Sequence, residues 1–549
     1  MSLSDSTEHL SHLKQTLSYQ SNKSENSNAG LTILEISKTL EPIKEDDDDD
    51  HGGILMNQGP PDLSLSSIRH YASTRFSTLF QIHISSIHSL NPIPALSEMT
   101  ASNWNYFFMG LIAWFSASFD FFLTSVAATQ IAKSLNVSTS SITWGLSAVL
   151  MLRSCGALMF GLWTDSHSRK WPFITCCALF CILQIGTGFC NNFHQFLAVR
   201  ALSGIAMGGT YGCSAATSLD DSPVKARSFL SGLFFTAYPF GAVFAAVFWR
   251  AFENTEKSWK ALFWFSSGFP FIIIIWRLFY PETKFFERLL KAQEIIKQEQ
   301  IEAGTYIKPT IRSRLEKFGR MVKHNWILFV YLILLLAYAN FCTHATQDLY
   351  PTMLRQQAKL NENQVTIAVV VVNLGAVCGS LLVGTFMEVL GRRLSLFICL
   401  IIVGAFLYPA FMLQYFSAII GGGFFLYFGV MGAWGVFSIH LSECSPPEAR
   451  ALVSGLAYQL GNLASSASST IESRLANNWP IYNVNGEVIT HDYAKVMTVL
   501  SGAVCIYGLV MVIVGPEFFH RNLSSPQMNK YIKLVIQREN EELGDNEKS

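Results

Sequence analysis

Charge is scarce in this sequence. Asp, Glu, Lys and Arg make up 14% of the 549 residues and balance to a formal net charge of zero. No basic stripe marks a nucleic-acid surface, and no Gly-x-x-x-x-Gly-Lys-Ser/Thr loop is present to cradle nucleotide phosphates, so ATP hydrolysis is not the driving reaction. The eleven cysteines (Cys155, Cys176, Cys177, Cys181, Cys190, Cys213, Cys342, Cys378, Cys399, Cys444 and Cys505) all fall in or beside apolar stretches. None has zinc-ligand spacing with histidine partners. They read as packing residues, so neither a metal nor a cofactor is expected, and the chain does not read as an enzyme. The opening residues lack a basic stretch followed by an apolar core, so no cleaved signal peptide is expected and the first apolar helix would start insertion.

Long apolar runs are what is present. Half the residues are hydrophobic and Phe alone contributes 42. From Asn105 onward, stretches of about twenty apolar residues recur, the length that crosses about 30 Å of hydrocarbon. The sequence predicts an all-α polytopic membrane protein of 12 transmembrane helices in two pseudo-symmetric six-helix bundles. The expected spans are 105–131, 140–163, 171–190, 195–217, 227–249 and 259–279, then 325–350, 363–388, 394–415, 420–442, 452–473 and 493–515.

The domain plan follows. Residues 1–104 are polar and Ser-rich with an acidic run from Glu45 to Asp50. They bury too little apolar surface to offset chain entropy, and are expected to be a mostly disordered cytoplasmic region. The six-helix bundles are 105–283 and 325–516, joined by a basic cytoplasmic linker, 284–324, and followed by a tail, 517–549. With both termini cytoplasmic, the inner side holds ten Lys or Arg in the linker plus Arg169, Lys170, Lys225, Arg227, Arg392, Arg393 and Arg450. The outer side holds Lys133, Arg250, Lys257, Lys260, Arg355, Lys359, Arg474 and Lys495. Seventeen against eight favours that orientation. Asn136-Val137-Ser138 is then a glycosylation sequon in a short outer loop.

A duplication is visible directly. Gly161, Asp165 and Arg169 after span 2 recur as Gly384, Glu388 and Arg392 after span 8, an offset of 223 (384 − 161). Asp220, Pro223 and Arg227 recur at the same offset as Glu443, Pro446 and Arg450. Pro281-Glu282 and Pro516-Glu517 close spans 6 and 12 in the same way. These residues resemble the signatures of the major facilitator superfamily, whose Gly-x-x-x-Asp-x-x-Gly-Arg-Arg/Lys motif joins helices 2 and 3. Ser168 stands where that pattern has Gly. The resemblance implies two facing bundles with a solute site at mid-membrane, a cavity lined by spans 1, 4, 7 and 10, and inner-gate contacts made by the repeated charges.

An ionisable side chain inside a span is costly and marks function. Span 7 is densest in polar groups. At about 100° per residue, Asn340, Thr343, His344, Gln347 and Asp348 share an arc of roughly 140°, opposite Phe341, Cys342, Ala345 and Leu349. His344 and Asp348, four residues apart, can interact along the helix and form a candidate proton-coupling pair. The stretch also resembles Asn-x-x-Ser/Thr-His-x-Ser/Thr-Gln-Asp-x-x-x-Thr, the mark of the fungal Jen-type carboxylate permeases, and matches it at Asn340, Thr343, His344, Thr346, Gln347, Asp348 and Thr352. That family implies proton-coupled uptake of lactate, pyruvate or dicarboxylates, driven by the proton gradient, with this stretch serving substrate and proton.

Arg153 in span 2 is a candidate carboxylate ligand, because guanidinium presents a fixed fork of donors. Its alternative is an ion pair with Asp120. Asp120 itself, on a stripe with Ser116 and Thr124 in span 1, is a further candidate for proton coupling or for a helix contact. In span 11, Gln459, Asn462, Ser466 and Thr470 form a polar stripe suited to hydrogen bonds with the substrate or with neighbouring helices. Arg200 precedes Gly204, Gly208 and Gly209 in span 4 and reads as packing, or as an anion attractor. Pro281-Glu282-Thr283 resembles a sugar-porter sequence and keeps a sugar or polyol porter open, as does a nutrient sensor. Expected partners are a small carboxylate, protons and the lipid bilayer, with ubiquitin machinery at tail lysines such as Lys530, Lys533 and Lys548. The protein is expected to work as a monomer in the plasma membrane.

Overall fold

The computed structural model describes residues 65–80, 82, 90–519 and 530–539, apart from 138, 167, 224–225, 253, 256, 305–310, 414, 446–449 and 483–487. The acidic run Glu45–Asp50, Ser138 of the sequon, Lys225, Pro446 and Lys548 lie outside the described residues, as do the side chains of Arg450 and Thr470.

The chain divides into two compact units. The larger, Asp50–Glu287 with Pro309–Ser525, contains every span. The smaller is described at 288–304 and 530–539, two helical stretches joined by Ala292, Ile295, Tyr531 and Val535. Arg288 and Lys291 both hold Glu539, at 2.9 and 2.8 Å, and Lys291 first, then Arg288, draws that carboxyl below its ordinary range.

Within the larger unit the twelve spans follow in the expected order. The first half has Ala101–Val126 continued by Ala128–Ser134, then Thr139–Ser166, Lys170–Gly188, Phe193–Leu219, Arg227–Phe235 with Ala237–Phe252, and Ser258–Ser266 with Gly268–Phe279. The second half has Trp326–Gln347, Glu362–Leu390, Arg392–Leu407, Phe416–Cys444, Arg450–Ser465 with Ser468–Ala476, and Tyr493–Val514. Among the described residues, ten helices are long and apolar enough to cross a membrane. The two spans outside that set are 4 and 11, which carry Arg200 and the polar stripe ending in a break at Ser465–Ser468. The interruptions have local causes. At Thr236 and Ser267 the hydroxyl donates back to the carbonyl three residues earlier, both at 2.6 Å, which bends a helix.

The duplication persists in three dimensions. A side chain on Gly156 would strike the backbone of Ile205, and one on Gly379 that of Phe428. Both pairs are related by the same offset of 223 (379 − 156 and 428 − 205). Spans 2 and 4, and spans 8 and 10, therefore pack backbone to backbone through a small residue.

Two features were not expected. A helix at Leu65–Leu79 lies inside the stretch read as mostly disordered. Tyr71 donates to the Val514 carbonyl at 3.0 Å, Arg393 donates to Thr78 Oγ1 and to the Arg75 carbonyl, both at 3.1 Å, and so the helix is tied to the end of span 12 and the start of span 9. An antiparallel pair of short strands, Pro480–Tyr482 and Val488–His491, joins spans 11 and 12. It is a small exception to the all-α expectation, since a loop of this length can pair its own backbone without a sheet to join.

Candidate functional site

Span 2 delivers Arg153 into a cavity of about 390 Å³ between the two bundles. Trp114 and Phe121 from span 1, Phe235 and Tyr238 from span 5, and Leu150 complete the first bundle's wall. The second bundle contributes Asn340, Thr343 and His344 from span 7, Met431 and Trp434 from span 10, and Tyr458 and Asn462 from span 11. Spans 1, 7 and 10 therefore line the cavity as the superfamily pattern implies. Span 4 does not, and spans 2, 5 and 11 take part instead.

Arg200 of span 4 is not among the lining residues. It meets Asp120 in a two-pronged ion pair, 2.9 and 2.8 Å, with both side chains fully buried. This contradicts the pairing of Asp120 with Arg153 and places Asp120 in a structural contact outside the cavity wall. It also leaves Arg153 without a carboxylate among the described residues. The Arg153 guanidinium stands over the Phe121 ring at 5.2 Å and makes one weak contact, 3.5 Å to Met207 sulfur. Its Nε finds no hydrogen-bond partner among the described residues, and neither does the buried indole N–H of Trp114 on the same wall. Burying a cation and a donor without partners is unfavourable.

Span 7 meets the expectation in part. Asn340, Thr343 and His344 line the cavity, and His344 Nδ1 lies 3.2 Å from Asp348 Oδ1. The opposite face is dry, with Cys342 and Ala345 buried. Thr343 is held in place: it donates to its own helix at Ala339 and accepts from the Trp434 indole at 2.8 Å. Gln347 is half-buried and does not line the cavity, because the regular helix ends there. Thr346 is buried against its own helix, bonded to Cys342 and Thr343 carbonyls. In span 11, Asn462 reaches the wall while Gln459 does not. Gln459 instead accepts from Asn462 at 3.2 Å, which orients the asparagine amide. Ser466 lends its carbonyl to Ser147 of span 2 at 3.5 Å.

Composition did not indicate the aromatic lining. Trp114 meets Tyr458 at 6.2 Å, Trp434 meets Tyr458 at 5.4 Å, and Phe235 meets Trp434 at 5.7 Å. These rings come from both bundles and exclude water, which strengthens any charge contact made inside.

The repeated charges build a seam between the bundles on the motif side. Asp165 Oδ2 accepts from the Leu452 backbone N–H at 3.0 Å, at the start of span 11. Glu388 accepts from the Ser228 hydroxyl, at the start of span 5. Asp165 thus caps a helix of the other bundle, a geometry favoured by the positive end of a helix, while Glu388 reaches a side-chain hydroxyl on the first turn of one. Gly161 and Gly384 permit the approach, since a Cβ there would lie 3.0 Å from Leu452 Cδ1 and 2.9 Å from Gly232 Cα respectively. Arg169 bridges Asp165 and Asp220 at 3.2 and 3.1 Å, and Arg392 holds Glu443 at 3.0 and 2.8 Å. Burial disfavours the Arg169 charge, yet Asp220 and Asp165 outweigh it and hold the group above its ordinary range. Ser168, the departure from the motif glycine, donates to Glu282 Oε2 at 2.6 Å, and Glu282 also accepts from the backbone of Arg169 and Lys170. The second bundle keeps the glycine, Gly391, at a left-handed φ of 80°, and Glu517 approaches it and accepts from the Arg392 N–H at 2.5 Å. Burial pushes the Glu517 carboxyl above its ordinary value, against the pull of Arg393 and Arg392.

The model of the sugar (and other) transporter family matches residues 90–527. The carboxylic acid transporter protein homolog of Saccharomyces cerevisiae is 52% identical over 484 residues, covering 87% of this chain and 79% of that protein. The sialic acid transporter NanX of Escherichia coli is 23% identical over 390 residues, 70% of this chain and 90% of that one. Among solved structures, the major facilitator superfamily proton:xylose symporter XylE aligns with a TM-score of 0.60 at 15% identity, over 77% of this chain and 98% of its own. At that identity the likeness concerns the fold. The chain is thus a transporter and not an enzyme: it belongs to the sugar (and other) transporter family of the major facilitator superfamily, in the Jen-type group that its seventh span resembled.

Proposed function

We propose that this protein is a proton-coupled symporter that imports short-chain monocarboxylates such as lactate and pyruvate by alternating access, in the plasma membrane with both termini cytoplasmic. The observation that carries the reading is Arg153, a desolvated guanidinium without a carboxylate partner on the wall of the cavity. The name of the yeast relative, a carboxylic acid transporter homolog, agrees with it.

A carboxylate entering the cavity takes the fork of Arg153 and the Trp114 indole N–H. The Asn340 and Asn462 amides are the groups available to its hydroxyl or keto oxygen. Such acids have a pKa of roughly 3.5–4, so the anion dominates outside. Importing it against an inside-negative potential needs a co-transported positive charge, and His344 with Asp348 is the pair that takes the proton. Loading then releases the seam held by Asp165 and Glu388, and the bundles rock to open on the motif side. The excess of Lys and Arg on that side supports its cytoplasmic assignment.

Dicarboxylate transport is the second reading, because His344 on the same wall becomes a second cation when protonated. Competition against labelled-lactate uptake decides between them in transporter-deficient cells. Inhibition by unlabelled lactate and pyruvate is expected. Stronger inhibition by succinate and malate favours the dicarboxylate reading, and inhibition by glucose alone refutes both.

A further inference from the structure

Glu472 is the buried acid that the site described so far does not use. It lies on Ser468–Ala476, the outer segment of span 11 beyond the break, and is fully buried. Neither carboxyl oxygen meets a donor in good hydrogen-bond geometry among the described residues, and the polar group beside it is the Ser468 hydroxyl one turn before. An ionised carboxylate cannot be held this way. Burying a carboxyl where the described neighbours supply no cation is unfavourable, so the side chain asks for a group that they do not provide.

The neighbours decide what such an acid can do. The segment packs against spans 7 and 12. On span 7, Asp348 acts electrostatically on Glu472, and Asp348 in turn bonds His344 at 3.2 Å. Span 12 brings Tyr493 and Lys495, and Lys495 is exposed over the Trp479 ring at 4.8 Å. On its own helix Arg474 is exposed. No salt bridge to Glu472 is formed among the described residues. The Asp348 side chain is 28% exposed and His344 opens into the cavity, so the three groups run from solvent-reached to cavity-lining to sealed.

We propose that Glu472 is a proton-binding carboxyl, the sealed member of a His344–Asp348–Glu472 relay that holds the co-transported proton while the substrate occupies the cavity. The assignment rests on the proton-coupled reading above. Loading adds one proton to the carboxylate, arriving through Asp348 from the side the cavity faces, and takes its charge from −1 to neutral. Release returns that proton to the opposite side once the substrate has left. The sealed position gives the step its direction, because an ionised Glu472 disfavours the packed arrangement around it and a neutral one permits it.

The test compares wild type with Glu472→Gln and Glu472→Asp after reconstitution in liposomes. Labelled-lactate exchange at equal pH on both sides is measured beside accumulation driven by an imposed proton gradient. Glutamine reproduces the neutral acid, so exchange is expected within about twofold of wild type while gradient-driven accumulation falls by about tenfold or more, with a flat pH profile. Aspartate keeps a titratable group and is expected to retain a pH-dependent profile, displaced from that of wild type; it still decides the matter should the glutamine variant fail to fold. A Gln variant with wild-type accumulation and pH profile overturns the proposal. So does one that loses exchange and accumulation together, or an Asp variant with a flat profile, since those are marks of a packing residue. If wild type itself fails to accumulate lactate under the gradient, proton coupling is wrong for the whole protein, a failure distinguishable from that of Glu472 alone.

Discussion

Replacing Arg153 by glutamine should separate affinity from stability. With substrate bound, the guanidinium is one half of a desolvated charge pair, and removing one half of such a pair costs about 2–5 kcal/mol. At about 1.4 kcal/mol per tenfold, KM for lactate should rise roughly 30-fold or more. Without substrate the same residue is a buried cation whose Nε is unpartnered among the described residues. Its removal relieves desolvation, so the melting temperature should hold or rise. Arg200→Gln is the opposite case. It strands Asp120, which is fully buried and held by two bonds of 2.9 and 2.8 Å, and should cost about 3–5 kcal/mol of stability. Uptake normalised to surface protein, together with melting in detergent, reads both effects. An R153Q variant with KM within about threefold of wild type, or one that melts as early as R200Q, refutes the reasoning.

Three further outcomes follow from the same geometry. Glu388→Gln weakens the bond with Ser228 and the attraction to Arg392, and should shift the protein away from the motif-side-closed state by about 1–3 kcal/mol, seen as a longer distance between spin labels on spans 5 and 8; an unchanged distance contradicts the seam. Ser168→Gly restores the superfamily residue but removes the 2.6 Å bond to Glu282, so the variant should lose about 1 kcal/mol in thermal unfolding rather than gain. His344→Gln keeps a polar side chain on the wall but removes the titrating ring bonded to Asp348, and uptake should lose most of its pH dependence, whereas a preserved profile assigns the proton elsewhere.

The spans were legible because apolar length and the 223-residue repeat are local or strictly periodic signals, and their ends came within about four residues of the structure, save span 9, whose α-helix ends at Leu407 rather than at 415. The wet face of span 7 was legible for the same reason, since one helical period fixes which residues share a side. The partner of Asp120 was not legible. It lies 80 residues away on another span (200 − 120), and nothing in spacing chooses Arg200 over Arg153. The aromatic lining was hidden because Trp and Tyr in a membrane chain serve lipid, interface and cavity alike, and only the packing of spans 1, 5, 10 and 11 selects among them. The Leu65–Leu79 helix escaped because its stability comes from bonds to Val514 and Arg393, more than 300 residues downstream. Gln347 and Gln459 were expected at the cavity wall and are displaced by a helix end and by a side-chain bond, neither of which periodicity encodes.

The central claim is that one cavity joins an unpaired guanidinium to a proton-accepting pair. Purified protein in liposomes with an imposed inward proton gradient tests it most directly. Labelled lactate should accumulate above its equilibrium level, collapse to that level on adding a protonophore, and fail to accumulate with R153Q. Accumulation that survives the protonophore, or a wild-type protein that concentrates glucose and leaves lactate at equilibrium, would contradict the account.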